Sequence, residues 1–198
     1  FSCGCTQNYT SIRHLKEDLP RVKPVVMATV PRLWESIKLG FEDAIDKMPR
    51  IRKTLIKGAI SNSKAYKLAR RKFYSLTINS ISSLEQTISL IEILIRYPIH
   101  RISSFYLWPK ILTKICGGRL RFPISGGGAI APHIDSFFEA LGVELLVGYG
   151  LTETSPVLTC RRPWRNIRGG AGQPLPETEI KIVDPETFQI KKLRQKGL

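Results

Sequence analysis

The chain has 198 residues, of which 42% are hydrophobic and 24% are charged, as in an ordinary folded protein. Its formal net charge of +15 raises nucleic acid and anionic membranes as partners. The basic residues fall into four separate clusters, at 47–72, 96–114, 161–168 and 191–196, rather than into one stripe interleaved with aromatic side chains. This pattern argues against a nucleic-acid-binding protein. It indicates either solvated faces of helices and loops or a positively charged membrane surface.

The cysteine pattern argues against a zinc site. The four cysteines have neither paired two-residue spacings nor a histidine partner, and they are Cys3, Cys5, Cys116 and Cys160. They are expected as reduced thiols, which indicates a reducing intracellular compartment. No apolar run reaches the roughly 18 residues that a membrane-spanning helix needs, since the best candidate, 88–95, is interrupted by Glu92.

The first strongly patterned segment predicts a strand followed by a helix. Residues 25–30 are an unbroken β-prone run bounded by prolines, which favours a central parallel strand buried on both faces. Pro31 then stands at a helix start, and apolar residues follow at helical spacing from Leu33 to Ile45, with Trp34 and Phe41 on the same core-facing stripe. A strand followed by a helix is half of a βαβ unit.

The middle of the chain, 49–115, is basic and rich in isoleucine, and it predicts helices broken at Pro98 and Pro109. Its second part, 94–115, is amphipathic in places, and two interpretations remain open. The helices either pack on the domain with their arginines in water, or lie in a bilayer interface with Tyr106 and Trp108 at headgroup depth. The second is a hypothesis of peripheral membrane contact.

Two glycine-containing bends follow predicted strands. Residues 119–125 predict a strand that runs into Gly126, Gly127, Gly128 and Ala129, where the missing side chains would let a flat ring approach the backbone. A crossover helix is predicted at 132–141. The apolar run 143–147 then enters a turn at 148–156, at the place where open α/β sheets bind ligands.

The second bend carries side chains that suit a nucleotide with its metal. Tyr149 follows Gly148 and could stack on a base, the hydroxyl side chains of the turn could donate to a phosphate oxygen, and Glu153 could bind a hard cation. A structural role is the alternative for Tyr149 and for Glu153: a half-buried tyrosine at a strand end, and a solvated or helix-capping carboxylate.

The end of the chain predicts surface features. Arg161, Arg162, Arg165 and Arg168 surround Trp164 and are expected in a surface loop. Residues 179–183 alternate charged and apolar residues, as a half-exposed strand does. The following segment, 184–187, predicts a β-turn.

Several segments together resemble one enzyme superfamily. Residues 148–153 resemble the tyrosine-glycine-x-threonine-glutamate signature of the adenylate-forming enzymes, and 124–129 resemble their second nucleotide-contacting loop, in the usual order and spacing. Further segments are similar to the long-chain acyl-CoA and acyl-carrier-protein synthetases of cyanobacteria and plastids: 9–12, 30–35, 137–140 and 178–187. The sequence departs from this family at Glu177, where glycine is usual, so an acidic side chain stands in a turn that requires free φ.

The resemblance implies an α/β fold with a mostly parallel sheet, flanking helices and a basic helical insertion at about 49–115. Residues 1–198 would be part of the large N-terminal, AMP-binding domain of a longer enzyme. The resemblance also implies the reaction, in which a long-chain fatty acid is activated by ATP through an acyl-adenylate to a thioester with CoA or acyl carrier protein. This is an AMP-forming acid–thiol ligase, located in the plastid or the cytoplasm.

Carried over residue by residue, the resemblance implies a site with ATP and Mg²⁺. Tyr149 would stack on adenine opposite a wall made by Gly126, Gly127, Gly128 and Ala129, and Gly150 would complete the nucleotide contact. Thr152 and Glu153 would be the catalytic residues, with Thr152 on a phosphate and Glu153 as the Mg²⁺ ligand.

Only part of that machinery is expected in this chain. The sequence contains neither a Ser/Thr/Gly-rich phosphate loop with a following lysine nor the ribose-binding aspartate motif and C-terminal domain of the family. The isolated piece is therefore expected to be inactive. The alternative is a non-catalytic scaffold or membrane-peripheral module that retains the fold.

Overall fold

The structure, a computed structural model, describes residues 4–11 and 13–191. Cys3 and most of the basic cluster at 191–196 lie outside the described residues. In chain order the elements are α1 (Leu15–Val22), β1 (Val26–Thr29), α2 (Pro31–Asp46), α3 (Arg50–Phe73), α4 (Ser83–Ile102), a π turn (Ser103–Leu107), α5 (Trp108–Cys116), β2 (Phe122–Ser125), α6 (Pro132–Ala140), β3 (Leu146–Gly150), a 3-10 turn (Thr152–Thr154), β4 (Val157–Cys160) and β5 (Gln173–Pro174). The fold is α/β, as predicted.

The five strands form one mixed sheet in the order β1-β2-β3-β4-β5. The β1/β2 and β2/β3 pairs are parallel, whereas the β3/β4 and β4/β5 pairs are antiparallel. The predicted mostly parallel sheet is thus confirmed only for its first three strands. Because a parallel pair needs a long crossover, the helices between β1 and β2 and α6 between β2 and β3 cover the sheet.

The prediction that 25–30 is a central strand buried on both faces is wrong for the described chain. Strand β1 lies at the edge of the sheet and pairs only with β2 among the described residues. Met27 is buried, but Val26 is 54% exposed and Val30 is 52% exposed. One face of this strand is therefore packed, and no described element lies on its other face.

The hydrophobic core lies between the helices and one face of the sheet. Trp34 of α2 is fully buried and meets Phe138 of α6 edge to face, with 5.1 Å between ring centroids. Phe41 packs beside Phe137 of the same helix, with centroids 5.2 Å apart. The prediction of a core role for Trp34 is confirmed, and the apolar side of α6 is buried at Ile134, Phe137 and Phe138. Trp108 is also buried, with 2% exposed, which rules out headgroup depth for this residue, one of the two interpretations left open.

The middle of the chain forms long helices with fewer breaks than predicted. Pro98 lies inside α4, which continues to Ile102, and Pro109 stands in the first turn of α5. Proline removes a single backbone hydrogen bond, and the π turn at Ser103–Leu107 absorbs the irregularity between the two helices. None of the described helices is both long enough and apolar enough to cross a membrane.

The end of the chain is mostly irregular. Residues 179–183 do not form the predicted strand, and only an isolated bridge joins Val183 to Ile190. The predicted turn at 184–187 is present: the Asp184 carboxylate accepts hydrogen bonds from two backbone N–H groups, each at 3.0 Å. Glu177 has a φ of 63°, so the strain predicted at this position is present in the structure.

Candidate functional site

The two bends predicted to bind a nucleotide lie next to each other. In the parallel register Thr29 is opposite Ser125, and Ser125 is opposite Val147, so β1 and β2 end side by side and β3 continues past them to Gly150. A Cβ atom placed on Gly126 would be 3.7 Å from the carbonyl oxygen of Gly148. The glycine loop after β2 therefore borders the end of β3, at the sheet edge where α/β proteins bind ligands.

The other side of the glycine loop borders the start of α2. Gly127 has a φ of 75°, and a Cβ atom there would be 3.9 Å from a methyl group of Val30. A Cβ atom on Gly128 would be 3.6 Å from the ring of Pro31. The loop is exposed along Gly127, Gly128 and Ala129, so its backbone is open to a ligand that approaches from the strand ends.

Internal hydrogen bonds hold the bend after β3 in shape. The Thr154 hydroxyl accepts a hydrogen bond from the Leu151 N–H at 2.9 Å, and its Oγ1 lies 2.9 Å from the Pro156 carbonyl oxygen. Sequence reasoning did not assign Thr154, although a threonine that accepts from the backbone N–H three residues earlier is a common turn-closing residue. This arrangement leaves Thr152 and Glu153 exposed on the outside of the turn.

Gly150 is required by close packing. A Cβ atom at this position would be 1.7 Å from the Pro156 carbonyl oxygen and 2.8 Å from the Val157 Cα. The two strands approach this closely where the register of the β3/β4 ladder shifts between Tyr149 and Gly150, as it does at a β-bulge. The same bulge region presents Tyr149, whose side chain is 49% exposed.

The Glu153 carboxylate at the turn suits Mg²⁺ better than it suits a metal ion whose ligands all come from the protein. Across 4–11 and 13–191 no three or more His, Cys, Asp or Glu side chains come together as a metal site. Mg²⁺ is commonly held by one or two carboxylates together with substrate phosphates and water. An exposed Glu153 is therefore a suitable single ligand.

Four buried charges and the partly buried Arg168 lie behind this site and are named here the buried ion cluster: Arg71, Asp135, Glu139, Arg161 and Arg168. Arg161 Nη1 is 2.7 Å from Asp135 Oδ2, and Arg71 Nε is 2.7 Å from Glu139 Oε1. Arg168 pairs with both carboxylates. Burial lowers the pKa of Arg71 and of Arg168, because it disfavours the charged form.

The surface position predicted for the arginines at 161–168 is wrong for Arg161, whose side chain is 4% exposed. The carboxylates of α6 hold it inside. Its backbone N–H donates to the Val147 carbonyl at 2.9 Å, and its Nε donates to the Gly170 carbonyl at 2.8 Å. The cluster thus joins the chain after β4 to α6 and to the end of β3, and it fixes the hairpin that carries Tyr149.

The sequence contained one signal for this cluster. Asp135 and Glu139 are four residues apart on a helix whose other inward residues are apolar, so both carboxylates share its buried side. Acidic residues at core positions require cationic partners. The partners themselves come from α3 and from the segment after β4, and no local pattern connects those segments.

A glycine loop and a Tyr-Gly turn at neighbouring strand ends define a class, the α/β proteins with a ligand site at the carboxyl edge of the sheet. The comparison with protein families identifies the group within that class. The chain belongs to the AMP-binding enzyme family, whose model matches residues 1–197.

Curated relatives extend well beyond the length of this chain. "Probable acyl-activating enzyme 16, chloroplastic" of Arabidopsis thaliana is 37% identical over 207 residues, which cover 100% of this chain and 28% of the relative. "Long-chain-fatty-acid--[acyl-carrier-protein] ligase AEE15, chloroplastic" of the same plant is 36% identical, again with 100% and 28% covered. "Long-chain-fatty-acid--CoA ligase 1" of Schizosaccharomyces pombe is 28% identical, with 89% and 22% covered. The chain spans about a quarter of the length of these relatives.

Proposed function

We propose that the protein containing this chain is an AMP-forming acid–thiol ligase that activates a long-chain fatty acid. The observation that carries the proposal is the contact between the two bends, with Gly126 against the carbonyl of Gly148 at the ends of parallel strands. Membership of the AMP-binding family and the names of the relatives support the same reaction class.

The proposed nucleotide site assigns one role to each predicted residue. The exposed ring of Tyr149 stacks on adenine, and the loop of Gly126, Gly127, Gly128 and Ala129 forms the facing wall. Gly150 allows β3 to approach β4 closely, and this approach turns Tyr149 outward. Thr152 donates to a phosphate oxygen, and Glu153 ligates Mg²⁺.

The proposed reaction brings two anions together. The fatty carboxylate oxygen attacks the α-phosphorus of ATP, a new C–O–P linkage forms, and the bond to pyrophosphate breaks. A thiol then attacks the acyl carbon and AMP leaves. When bound, Mg²⁺ would neutralise phosphate charge. The residues of this chain orient the nucleotide, because a stacked base and a hydrogen-bonded phosphate fix the direction of attack.

The acceptor and the location are proposed from the names of the relatives. One relative is named as a ligase for an acyl carrier protein and another as a ligase for CoA, so either thiol is proposed as acceptor. Two relatives are named as chloroplastic, and a plastid location is proposed. We also propose peripheral membrane contact through 94–115, in a basic helical insertion at about 49–115, with Tyr106 exposed and Trp108 no longer included.

Fatty-acid-dependent pyrophosphate exchange by the full-length protein tests the ligase proposal. Glu153→Gln is expected to reduce the exchange rate about 100-fold, because a metal-binding charge is lost. Tyr149→Ala is expected to weaken ATP binding about tenfold, in line with the stacking energy of one base. Glu177→Gln and Tyr74→Ala are matched controls at exposed positions outside the site, and both should retain the exchange rate.

Equal rates for the site variants and their controls would contradict the assigned roles. No fatty-acid-dependent exchange by the full-length protein would contradict the ligase itself. Residues 1–198 alone are expected to be inactive, because this sequence has no phosphate loop to compensate the triphosphate charge. Exchange by this piece alone would contradict that expectation.

A further inference from the structure

Arg161 is bonded to three parts of the fold at once. Its backbone N–H donates to the Val147 carbonyl of β3 at 2.9 Å, and its Nε donates to the Gly170 carbonyl at 2.8 Å. Its Nη1 donates to Asp135 Oδ2 on α6 at 2.7 Å. Both side chains are almost fully buried, with 4% exposed for Arg161 and 2% for Asp135. The planar guanidinium donates in fixed directions, so these bonds define one geometry rather than a range of geometries.

Asp135 connects this ion pair to the glycine loop. The loop begins at Gly126 and leads to Ala131, the residue before α6. The Ala131 carbonyl accepts the backbone N–H of Asp135 at 3.1 Å, so Asp135 lies one helical turn from the end of the loop. Because the first turn of α6 is hydrogen-bonded to the end of the loop, a displacement of Asp135 would displace the loop as well.

Arg161 connects the same ion pair to Tyr149. Thr159 lies opposite Tyr149 in the β3/β4 ladder, two residues before Arg161. The Thr159 hydroxyl donates to the Ala171 carbonyl at 2.8 Å. The neighbouring carbonyl, that of Gly170, accepts from Arg161. The strand beside Tyr149 is therefore attached to the same short segment as the Arg161 guanidinium.

We propose that Asp135 and Arg161, named here the positioning pair, set the spacing between the glycine loop and Tyr149, the two walls of the proposed base site. This inference rests on the proposed function. A buried ion pair is a weak source of stability, because apolar residues of similar volume often replace it without loss. A fixed spacing between two walls, in contrast, is what stacking on a flat base requires. Both residues lie behind the site, so their role is positioning and not catalysis.

The first test observes the Tyr149 ring without any nucleotide. The full-length protein is labelled with 3-fluorotyrosine, and the fluorine resonance of Tyr149 is identified by its absence from Tyr149→Phe. Arg161→Lys should shift or split this resonance, because one ammonium group cannot replace two donors of a fixed fork. Asp135→Asn weakens the pair from the side of α6 and should change the same resonance. This second variant keeps the test decisive if Arg161→Lys does not fold.

Arg162→Lys is the matched control, because it is the same substitution at the neighbouring residue. The Arg162 guanidinium donates to the Pro174 carbonyl at 3.3 Å in an exposed contact, whereas Arg161 is bonded to α6. Arg162→Lys should therefore leave the Tyr149 resonance unchanged and ATP binding at the level of the wild type.

The second test measures ATP binding by the full-length protein, at a temperature at which unfolding curves show every variant folded. Arg161→Lys should weaken ATP binding about three- to tenfold, up to the loss expected for one base stack. The KM for ATP in pyrophosphate exchange should rise by the same factor, and the KM for the fatty acid should not change. In a Tyr149→Ala background, Arg161→Lys should change ATP binding less than about twofold, because the ring that it positions is absent.

The proposal is overturned if the Tyr149 resonance is the same in the wild type, Arg161→Lys and Asp135→Asn. It is also overturned if the wild type binds ATP and Arg161→Lys leaves this affinity unchanged. An equal loss of affinity with and without the Tyr149 ring overturns it too, since a general loss of stability has that effect. A wild type that binds no ATP, with a resonance that responds to Arg161→Lys, contradicts the ligase proposal and supports the positioning pair.

Discussion

Gly150→Ala should distort the site through one steric overlap. The added methyl carbon would lie 1.7 Å from the Pro156 carbonyl oxygen, whereas such atoms normally stay at least about 3.4 Å apart. The turn after β3 must therefore move by about 1.7 Å. Overpacking of this kind costs about 1–3 kcal/mol of stability. A displacement above about 1 Å at a catalytic centre lowers the rate about 100-fold.

Gly148→Ala is the matched control, because a Cβ atom at Gly148 meets nothing within 4 Å. Both glycines belong to β3, so the two variants differ in the overlap and hardly in strand propensity. Thermal unfolding and pyrophosphate exchange of the full-length protein measure the two effects. Equal melting temperatures and equal exchange rates for the two variants would refute the reasoning.

Three further predictions concern stability, measured by thermal or denaturant unfolding. Glu177→Gly should raise the free energy of unfolding by up to about 1 kcal/mol, because it removes a left-handed conformation of a residue with a side chain. Glu179→Gly, at a residue with an ordinary φ, should lower the free energy of unfolding by about 0.5–1 kcal/mol. The prediction would be contradicted if Glu179→Gly were more stable than Glu177→Gly. Burial, with a smaller effect of nearby cations, lowers the pKa of His100 from 6.5 to about 4. The unfolded chain then binds more protons at His100 than the folded chain does, so stability should fall as the pH drops from 6.5 to 4. The His100→Gln variant should lose this pH dependence. An unchanged profile of stability against pH in that variant would disprove the prediction. Arg161→Met should cost about 3–5 kcal/mol, because the buried Asp135 loses its closer partner and keeps only Arg168, at 3.8 Å, whereas Arg162→Met should cost less than about 1 kcal/mol.

Elements with a strong local pattern could be predicted from the sequence. The helix α2 begins at Pro31 as predicted, and α6 runs from Pro132 with its apolar side inward. The glycine loop and the Tyr149 turn were assigned to strand ends, and the parallel register brings those ends together. Proline starts, helical periodicity and glycine bends are all local signals, so a single sequence contains them.

Features that depend on distant partners could not be predicted. Residues 25–30 have the composition of a strand buried on both faces, but composition does not tell which elements cover each face. Arg161 lies among other arginines and a tryptophan, and only the fold shows that Asp135 faces it. Trp108 has the same local surroundings as exposed Tyr106, and the packing of α5 alone decides between them.

Strand β1 has a free side, which carries a practical consequence. Within the described part of the chain, the backbone groups on that side meet no neighbouring strand, and Val26 is exposed on the strand. An open, apolar strand of this kind is a template for pairing with another molecule. When residues 1–198 are produced by themselves, we expect intermolecular β-sheet and precipitation, which would appear as growing light scattering and thioflavin fluorescence.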